Sequence, residues 1–163
     1  MEIIILMGLQ ASGKSTFYRT HFAATHEHVS KDLLLQSKNK NKNQKQEERI
    51  EGAFQEQCSV VVDNTNATIQ DRLPLIDLGR RYNATIIGYY FQPDVLSSRQ
   101  RNMQRTGKAQ VPEKVIFITA HKFEIPTYAE GFDTLYYMRI GEDSTTEKPV
   151  WEIEKIPFKE KED

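Results

Sequence analysis

Residues 8–15 read Gly8-Leu9-Gln10-Ala11-Ser12-Gly13-Lys14-Ser15, a run of small residues that ends in a lysine and a hydroxyl. An apolar, β-branched run, residues 2–7, precedes it, and residues 16–24 follow with the pattern of a short helix. This spacing between a strand and a helix is typical of a phosphate-binding P-loop. Small residues let consecutive backbone N–H groups converge on a phosphate at the start of a helix, where the helix dipole favours negative charge.

Two side chains of this loop carry its chemistry. Lys14 is expected to reach the β- and γ-phosphates of a nucleotide, and Ser15 to ligate Mg²⁺. The other loop residues expected to contact the nucleotide are Gly8, Gln10, Ala11, Ser12, Gly13 and Thr16. ATP, or another nucleoside triphosphate, together with Mg²⁺ is therefore the predicted cofactor pair.

Length and composition favour a single domain that spans residues 1–163. The 22 basic and 23 acidic residues nearly cancel, so the overall charge neither supports nor excludes a nucleic-acid partner. One cysteine, Cys58, excludes an internal disulfide, and its place beside the apolar run 60–62 predicts a buried thiol. Because we find no signal peptide or long apolar stretch, we expect a cytoplasmic protein without a membrane partner.

Strand-like and helix-like segments alternate along the rest of the chain. Apolar runs predict further strands at residues 27–30, 59–63, 85–91 and 133–140. Helical patterns occupy residues 46–57, 68–82, the segment after residue 94 and the segment after Pro112. This alternation predicts an α/β protein: a three-layer P-loop NTPase fold with a mainly parallel sheet, helices on both faces and a helical lid.

Three local features qualify this assignment. Residues 37–45, rich in lysine and asparagine, predict a solvated loop, with a nucleic-acid contact as the alternative. Thr68 and Asp71 have the spacing of a capping box, whereas Pro74 predicts a kink or a late start of the same helix. Residues 141–163 are expected to form a C-terminal arm that lays a short strand on the body.

Two carboxylates follow predicted strands. Asp32 lies one strand-helix unit after the P-loop, where it has two interpretations: a base that takes the proton of an acceptor hydroxyl, or the N-cap of a helix that begins at Leu33. Asp63 ends the buried run 59–63 beside the P-loop strand. It is the natural Walker B acid, which would hold Mg²⁺ through a water or fix Ser15.

Arginines follow the fourth predicted strand. Arg101 and Arg105 are four residues apart and would share one face of a helix, as a lid over polyphosphate requires; a solvated helix face is the alternative. The lid is expected at about residues 97–113, with Gly107 as a hinge. Arg99 would point elsewhere and pair with an acid.

With these residues assembled, the sequence resembles the kinase module of the polynucleotide 5′-hydroxyl kinase family, within the larger group of small P-loop kinases. The stretches that carry the likeness are residues 8–16, Asp32, residues 63–66 followed by Arg72, residues 99–105 and residues 122–132. The last of them, with the pattern F-E-x-P-T-x-A-E-G-F over residues 123–132, is the most specific.

The resemblance implies that Lys14 and Ser15 handle ATP and Mg²⁺ and that Asp32 activates the 5′-OH of RNA or DNA during end healing and repair. It also implies that Arg101 and Arg105 are the lid arginines and that Asp63 is the Walker B acid. Modules of this family are often fused to phosphatase, ligase or other repair domains. The resemblance says nothing of the oligomeric state.

One position departs from the family pattern. Many members carry an arginine three residues after the catalytic aspartate to grip the acceptor phosphate, and here that position is Leu35. Lys31, Lys38 or Arg72 are candidates to replace it.

Two other functions remain open: a P-loop kinase for a small hydroxylated metabolite, and a nucleotide-binding switch or NTPase in which Asp32 only caps a helix. His26 and His28 are not expected to form a metal site, because no third ligand is suitably spaced.

Overall fold

A six-stranded sheet forms the centre of the fold in a computed structural model that describes residues 1–34, 41–141, 144 and 149–159. In chain order the strands are β1 (Glu2–Met7), β2 (Glu27–Val29), β3 (Val60–Asp63), β4 (Thr85–Phe91), β5 (Thr134–Ile140) and β6 (Trp151–Lys155). Their order in space is β2-β3-β1-β4-β5-β6. The first five run parallel and β6 pairs antiparallel with β5, which confirms the mainly parallel sheet.

Five α-helices connect the strands of the described chain. They are α1 (Lys14–His21), α2 (Lys42–Gln55), α3 (Ile69–Arg81), α4 (Val95–Met103) and α5 (Glu113–Lys122). Short 3₁₀ turns lie at Lys31–Leu33, Gly107–Ala109 and Tyr128–Glu130. None of the described helices has the length and apolar character needed to cross a bilayer.

Alternate side chains of β1 face opposite layers of the molecule. Ile3, Ile5 and Met7 are buried with apolar residues of α2 and α3. Ile4 and Leu6 point to the other face, where they pack with residues of α1. Because both faces of a parallel sheet are covered, its strands are apolar throughout rather than alternating. The predicted three-layer fold with helices on both faces is therefore confirmed.

Helix α2 begins earlier than the sequence suggested. The Asn41 side chain accepts a hydrogen bond from Gln44 N at 2.9 Å, and the Gln44 side chain accepts one from Asn41 N at 3.2 Å. This capping box starts the helix at Lys42, so the prediction that residues 42–45 belong to a loop is wrong. Residues 37–40 of the same tract lie outside the described residues.

Helix α3 has the predicted cap but not the predicted late start. Asp71 N donates to Thr68 Oγ1 at 3.1 Å and Thr68 N donates to Asp71 Oδ2 at 3.2 Å, which confirms the capping box. The helix runs from Ile69 through Pro74 without a break. Proline removes one backbone hydrogen bond, and the cap together with the burial of Leu75 offsets that loss.

Cys58 is exposed, so the prediction of a buried thiol is wrong. Its backbone N–H donates to Ala53 O at 2.9 Å in the turn that follows α2, and burial of the next strand starts only at Val60. The apolar run that suggested burial therefore begins two residues too late to cover the thiol.

Candidate active site

The P-loop closes tightly between β1 and α1. Gly8 N donates to Thr65 O at 3.0 Å, which ties the start of the loop to the segment after β3. Gly13, which caps α1, has φ of +97°, a left-handed conformation that glycine adopts without strain. Helix α1 starts at the very next residue, Lys14, two residues before the predicted start. The backbone N–H groups of its first turn have no partner within the helix and are therefore available at the loop.

Lys14 is buried inside this loop. Its Nζ donates to Gly8 O at 3.0 Å, to Leu9 O at 2.6 Å and to Ser12 Oγ at 3.2 Å. Burial lowers the pKa of Lys14 to about 8, with a smaller lowering from Arg105, while Asp63 and Asp32 act in the opposite direction. The ammonium group is thus surrounded by neutral oxygens, with negative charge at a greater distance. An anionic phosphate would complete its environment.

Ser15 and Asp63 are joined directly. Ser15 Oγ donates to Asp63 Oδ2 at 2.7 Å, and His28 Nε2 lies 2.9 Å from the same oxygen. Burial acts to raise the pKa of Asp63, but hydrogen bonds from His28 and Ser15 and the charge of Lys14 outweigh it, so the pKa is lowered. A hydroxyl and an ionised carboxylate supply the oxygen ligands that Mg²⁺ prefers, so this pair of side chains fits a magnesium ion.

His28 is a site residue that sequence reasoning missed. It lies on β2, which pairs with β3, and its ring stacks on Tyr18 with centroids 4.0 Å apart. The other histidine considered, His26, lies 2.9 Å from Glu2 instead. The two histidines therefore have different partners.

Asp32 lies in the 3₁₀ turn that follows β2, and its side chain is exposed. The residue that caps this turn is Ser30, whose Oγ accepts from Asp32 N at 3.3 Å, so the interpretation of Asp32 as the cap is wrong. Lys31 N donates to Asn64 Oδ1 at 2.9 Å and ties the turn to the residue after Asp63. Among the described residues, no hydrogen bond to the Asp32 carboxylate is found.

The two arginines do not share a helical face, so that prediction is wrong. Helix α4 ends at Met103, because Asn102 forms two hydrogen bonds with the backbone of Val111, of 2.8 and 3.0 Å, and the chain folds back. Arg105 follows the helix, yet it lines a cavity of about 330 Å³ together with Arg101 and the P-loop. Arg101 Nη1 lies 3.5 Å from Ala11 O.

Two further predicted residues have structural partners. Arg99 forms an ion pair with Glu113, as expected for the arginine that points away. The Gln10 side chain donates to Thr119 Oγ1 at 2.9 Å, which links the P-loop to α5.

Arg72 is fully buried and does not reach a substrate. Its guanidinium donates to both Glu130 carboxylate oxygens, at 2.7 and 3.1 Å, and to the backbone oxygens of Asn66 and Glu124, each at 3.0 Å. Arg72 is therefore excluded as a replacement for the missing family arginine. Leu35 and Lys38, the other residues of that argument, lie outside the described residues, whereas Lys31 is half-buried beside Asp32.

The same contacts explain the segment 123–132 in physical terms. Thr127 N donates to Glu130 Oε2 at 2.8 Å, which turns the carboxylate towards Arg72. Gly131 has φ of +117°, and a Cβ there would collide with the guanidinium of Arg80. Phe132 is buried in the core. This segment anchors the core of the fold and does not line the P-loop.

Comparison with known proteins identifies the family. The sequence matches the family described as AAA domain over residues 3–126. The bifunctional polynucleotide phosphatase/kinase of Schizosaccharomyces pombe is 30% identical over 162 residues, which cover 97% of this chain and 34% of that protein. The chain thus spans about a third of that relative's length.

Two solved structures with the same fold are kinases. A fungal RNA kinase has a TM-score of 0.64 and 17% identity, over 89% of this chain and 78% of that one. A gluconokinase from Sinorhizobium meliloti has a TM-score of 0.62 and 17% identity, over 85% of this chain and 82% of that one. At these identities the likeness shows the fold alone. Since the sequence match covers most of the chain, this protein belongs to the AAA domain family of P-loop proteins, and its resemblance to the polynucleotide kinases is confirmed.

Proposed function

We propose that this domain is an ATP-dependent polynucleotide 5′-hydroxyl kinase that acts in end healing and repair. One observation carries the proposal: the Asp32 carboxylate is exposed, accepts no hydrogen bond from the described residues, and lies in a turn that Lys31 N ties to Asn64, the residue after Asp63. An exposed carboxylate without a hydrogen-bond partner can accept a hydrogen bond from the hydroxyl of a substrate and then take its proton.

In the proposed reaction the acceptor O5′ attacks the γ-phosphorus, and the bond between that phosphorus and the β,γ-bridging oxygen breaks. The phosphoryl group moves to O5′, ADP leaves, and the O5′ proton passes to Asp32. Lys14 and the backbone of residues 8–16 hold the β- and γ-phosphates. Arg101 and Arg105 stabilise the negative charge that develops on these phosphates during transfer. Ser15 and Asp63 would hold Mg²⁺, which supplies neutralisation of phosphate charge when bound.

The polynucleotide acceptor is supported by the sequence relative, whose name includes polynucleotide kinase activity. That name also includes a phosphatase, so we propose that residues 1–163 form a kinase domain that works with a phosphatase module. Residues 97–113, which include most of α4 and the turn at Gly107–Ala109, are the proposed lid.

A kinase for a small hydroxylated metabolite is the second candidate, because the gluconokinase shares the fold. The nucleotide switch has less support, since Ser30 rather than Asp32 caps the turn.

The test is incubation with γ-labelled ATP, Mg²⁺ and a 5′-OH oligonucleotide of RNA or DNA, beside gluconate, other sugars and water. We expect label in the oligonucleotide. Label in a sugar would favour the second candidate, and label only in free phosphate would refute both kinase proposals.

Replacing Arg105 by alanine is expected to lower the turnover number about 100-fold, because one planar donor at the transferring phosphoryl group is lost. Among the described residues Arg105 donates one hydrogen bond, an exposed one to Ala109 O at 3.3 Å, so the melting temperature should hardly change. Turnover and thermal unfolding are measured together, with Lys108→Ala as the matched control that removes an exposed charge from the same turn. Equal effects of the two substitutions, or a large fall in melting temperature for Arg105→Ala, would contradict the role.

A further inference from the structure

The C-terminal strand β6 brings the one tryptophan of the chain, Trp151, onto the P-loop. A Cβ placed on Gly13 would lie 2.6 Å from the indole Cη2, so the ring packs directly on the glycine backbone. The rings of Phe17 and Phe91 meet the indole edge to face, with centroids 5.5 Å away in each case. The indole is therefore held rigidly beside the loop, although it lies outside the residues that match the family, 3–126.

Trp151 also lines the cavity of about 330 Å³ that contains Arg101 and Arg105. Ile140 and Pro149 extend the apolar part of its wall, and the P-loop closes its other side. This volume lies in the range of small-molecule sites. An apolar aromatic wall next to guanidinium groups is suited to a ligand that has a flat ring at one end and phosphates at the other.

The indole Nε1 adds a second observation. It is shielded from solvent and has no hydrogen-bond partner in the described part of the chain. A buried indole N–H usually has a partner. Trp151, the residue with this unpaired donor, also lines the cavity that adjoins the P-loop.

We propose that this cavity receives the nucleoside of the bound nucleotide, with Trp151 contacting the base. The inference rests on the proposed nucleotide site and is independent of the acceptor. Because every base has a π face, contact with an indole discriminates weakly between purines. The strand β6 is then part of the nucleotide site as well as the edge of the sheet.

The fluorescence of Trp151 provides a direct test, since the chain has one tryptophan. Titration of the wild-type protein with Mg-ATP is expected to change the emission strongly. Mg-tripolyphosphate, which lacks a nucleoside, should give a clearly smaller change, because it reaches only the P-loop against which the indole packs. Calorimetry of the same two titrations reports binding without relying on the indole. Equal fluorescence changes for both ligands, or ATP binding without any change, would overturn the proposal.

Substitution tests the contribution to affinity. Trp151→Leu keeps an apolar contact to Phe17 but removes the ring, and it should weaken ATP binding about tenfold or more while tripolyphosphate binding stays the same. Ile153→Ala, on the same strand and half exposed, is the control and should bind both ligands normally. Unchanged ATP affinity in Trp151→Leu would refute the proposal. If the fluorescence response holds but no label reaches an acceptor, the kinase proposal fails and this one stands.

Discussion

Asp32→Asn is expected to lower phosphoryl transfer to a 5′-OH oligonucleotide by about 10²- to 10⁴-fold, the range that general base catalysis supplies. The amide has the size of the carboxylate but cannot take the proton of the acceptor hydroxyl. Because Asp32 is exposed and its carboxylate accepts no hydrogen bond from the described residues, the fold should be unaffected. Transfer is measured in single-turnover reactions with γ-labelled ATP, and ATP affinity by calorimetry.

Lys14→Ala is the contrasting variant. It removes the ammonium group that donates to Gly8 O and Leu9 O inside the P-loop, so both ATP binding and transfer should be impaired. Asp32→Asn should leave ATP binding nearly intact, since the carboxylate is not part of the loop. Wild-type transfer in Asp32→Asn would remove the proposed base, and a joint loss of binding and transfer would indicate a role in holding the nucleotide.

The sequence predicts those parts of the fold and of the candidate site that depend on local patterns of residues. A buried strand followed by the P-loop spacing predicts β1, the loop and α1, and a second apolar run predicts that Asp63 ends a neighbouring strand. Parallel strands present their carboxyl ends at one edge of the sheet. These facts predict that Ser15 and Asp63 lie near one another, and the structure, in which β3 pairs with β1, has their side chains 2.7 Å apart.

The rest depends on contacts between distant residues. Nothing local marks the end of α4 before Arg105, since Asn102 stops it through hydrogen bonds to Val111, nine residues further on. The contact of His28 with Asp63 requires β2 to lie next to β3, an order that the sequence does not state. Trp151 reaches Gly13 only because β6 pairs antiparallel with β5.

Arg72 is the plainest case of such a long-range contact. An arginine on a helix of mixed composition is usually exposed, whereas this one is fully buried against Glu130, 58 residues away in sequence. The segment 123–132 therefore supplies the acidic partner of a core arginine.

Arg72→Met is accordingly expected to lower the free energy of unfolding by about 3–5 kcal/mol, the cost of leaving one partner of a buried ion pair alone. Among the described residues the Glu130 carboxylate would keep one donor, the N–H of Thr127, and the backbone oxygens of Asn66 and Glu124 would lose the guanidinium. The loss is measured by urea unfolding at neutral pH.

Two further variants test whether the loss comes from the unpaired charge. Arg81→Met, on the same helix, breaks an exposed pair with Glu51 whose closest atoms are 3.5 Å apart, and should cost less than about 1 kcal/mol. The double variant Arg72→Met with Glu130→Leu removes both charges and should recover much of the stability lost in the single variant, because no charge stays buried alone. A loss below about 1 kcal/mol in Arg72→Met would show that the pair contributes little to stability. A stable Arg72→Met protein with a raised KM for the oligonucleotide would instead restore Arg72 as the group that grips the acceptor.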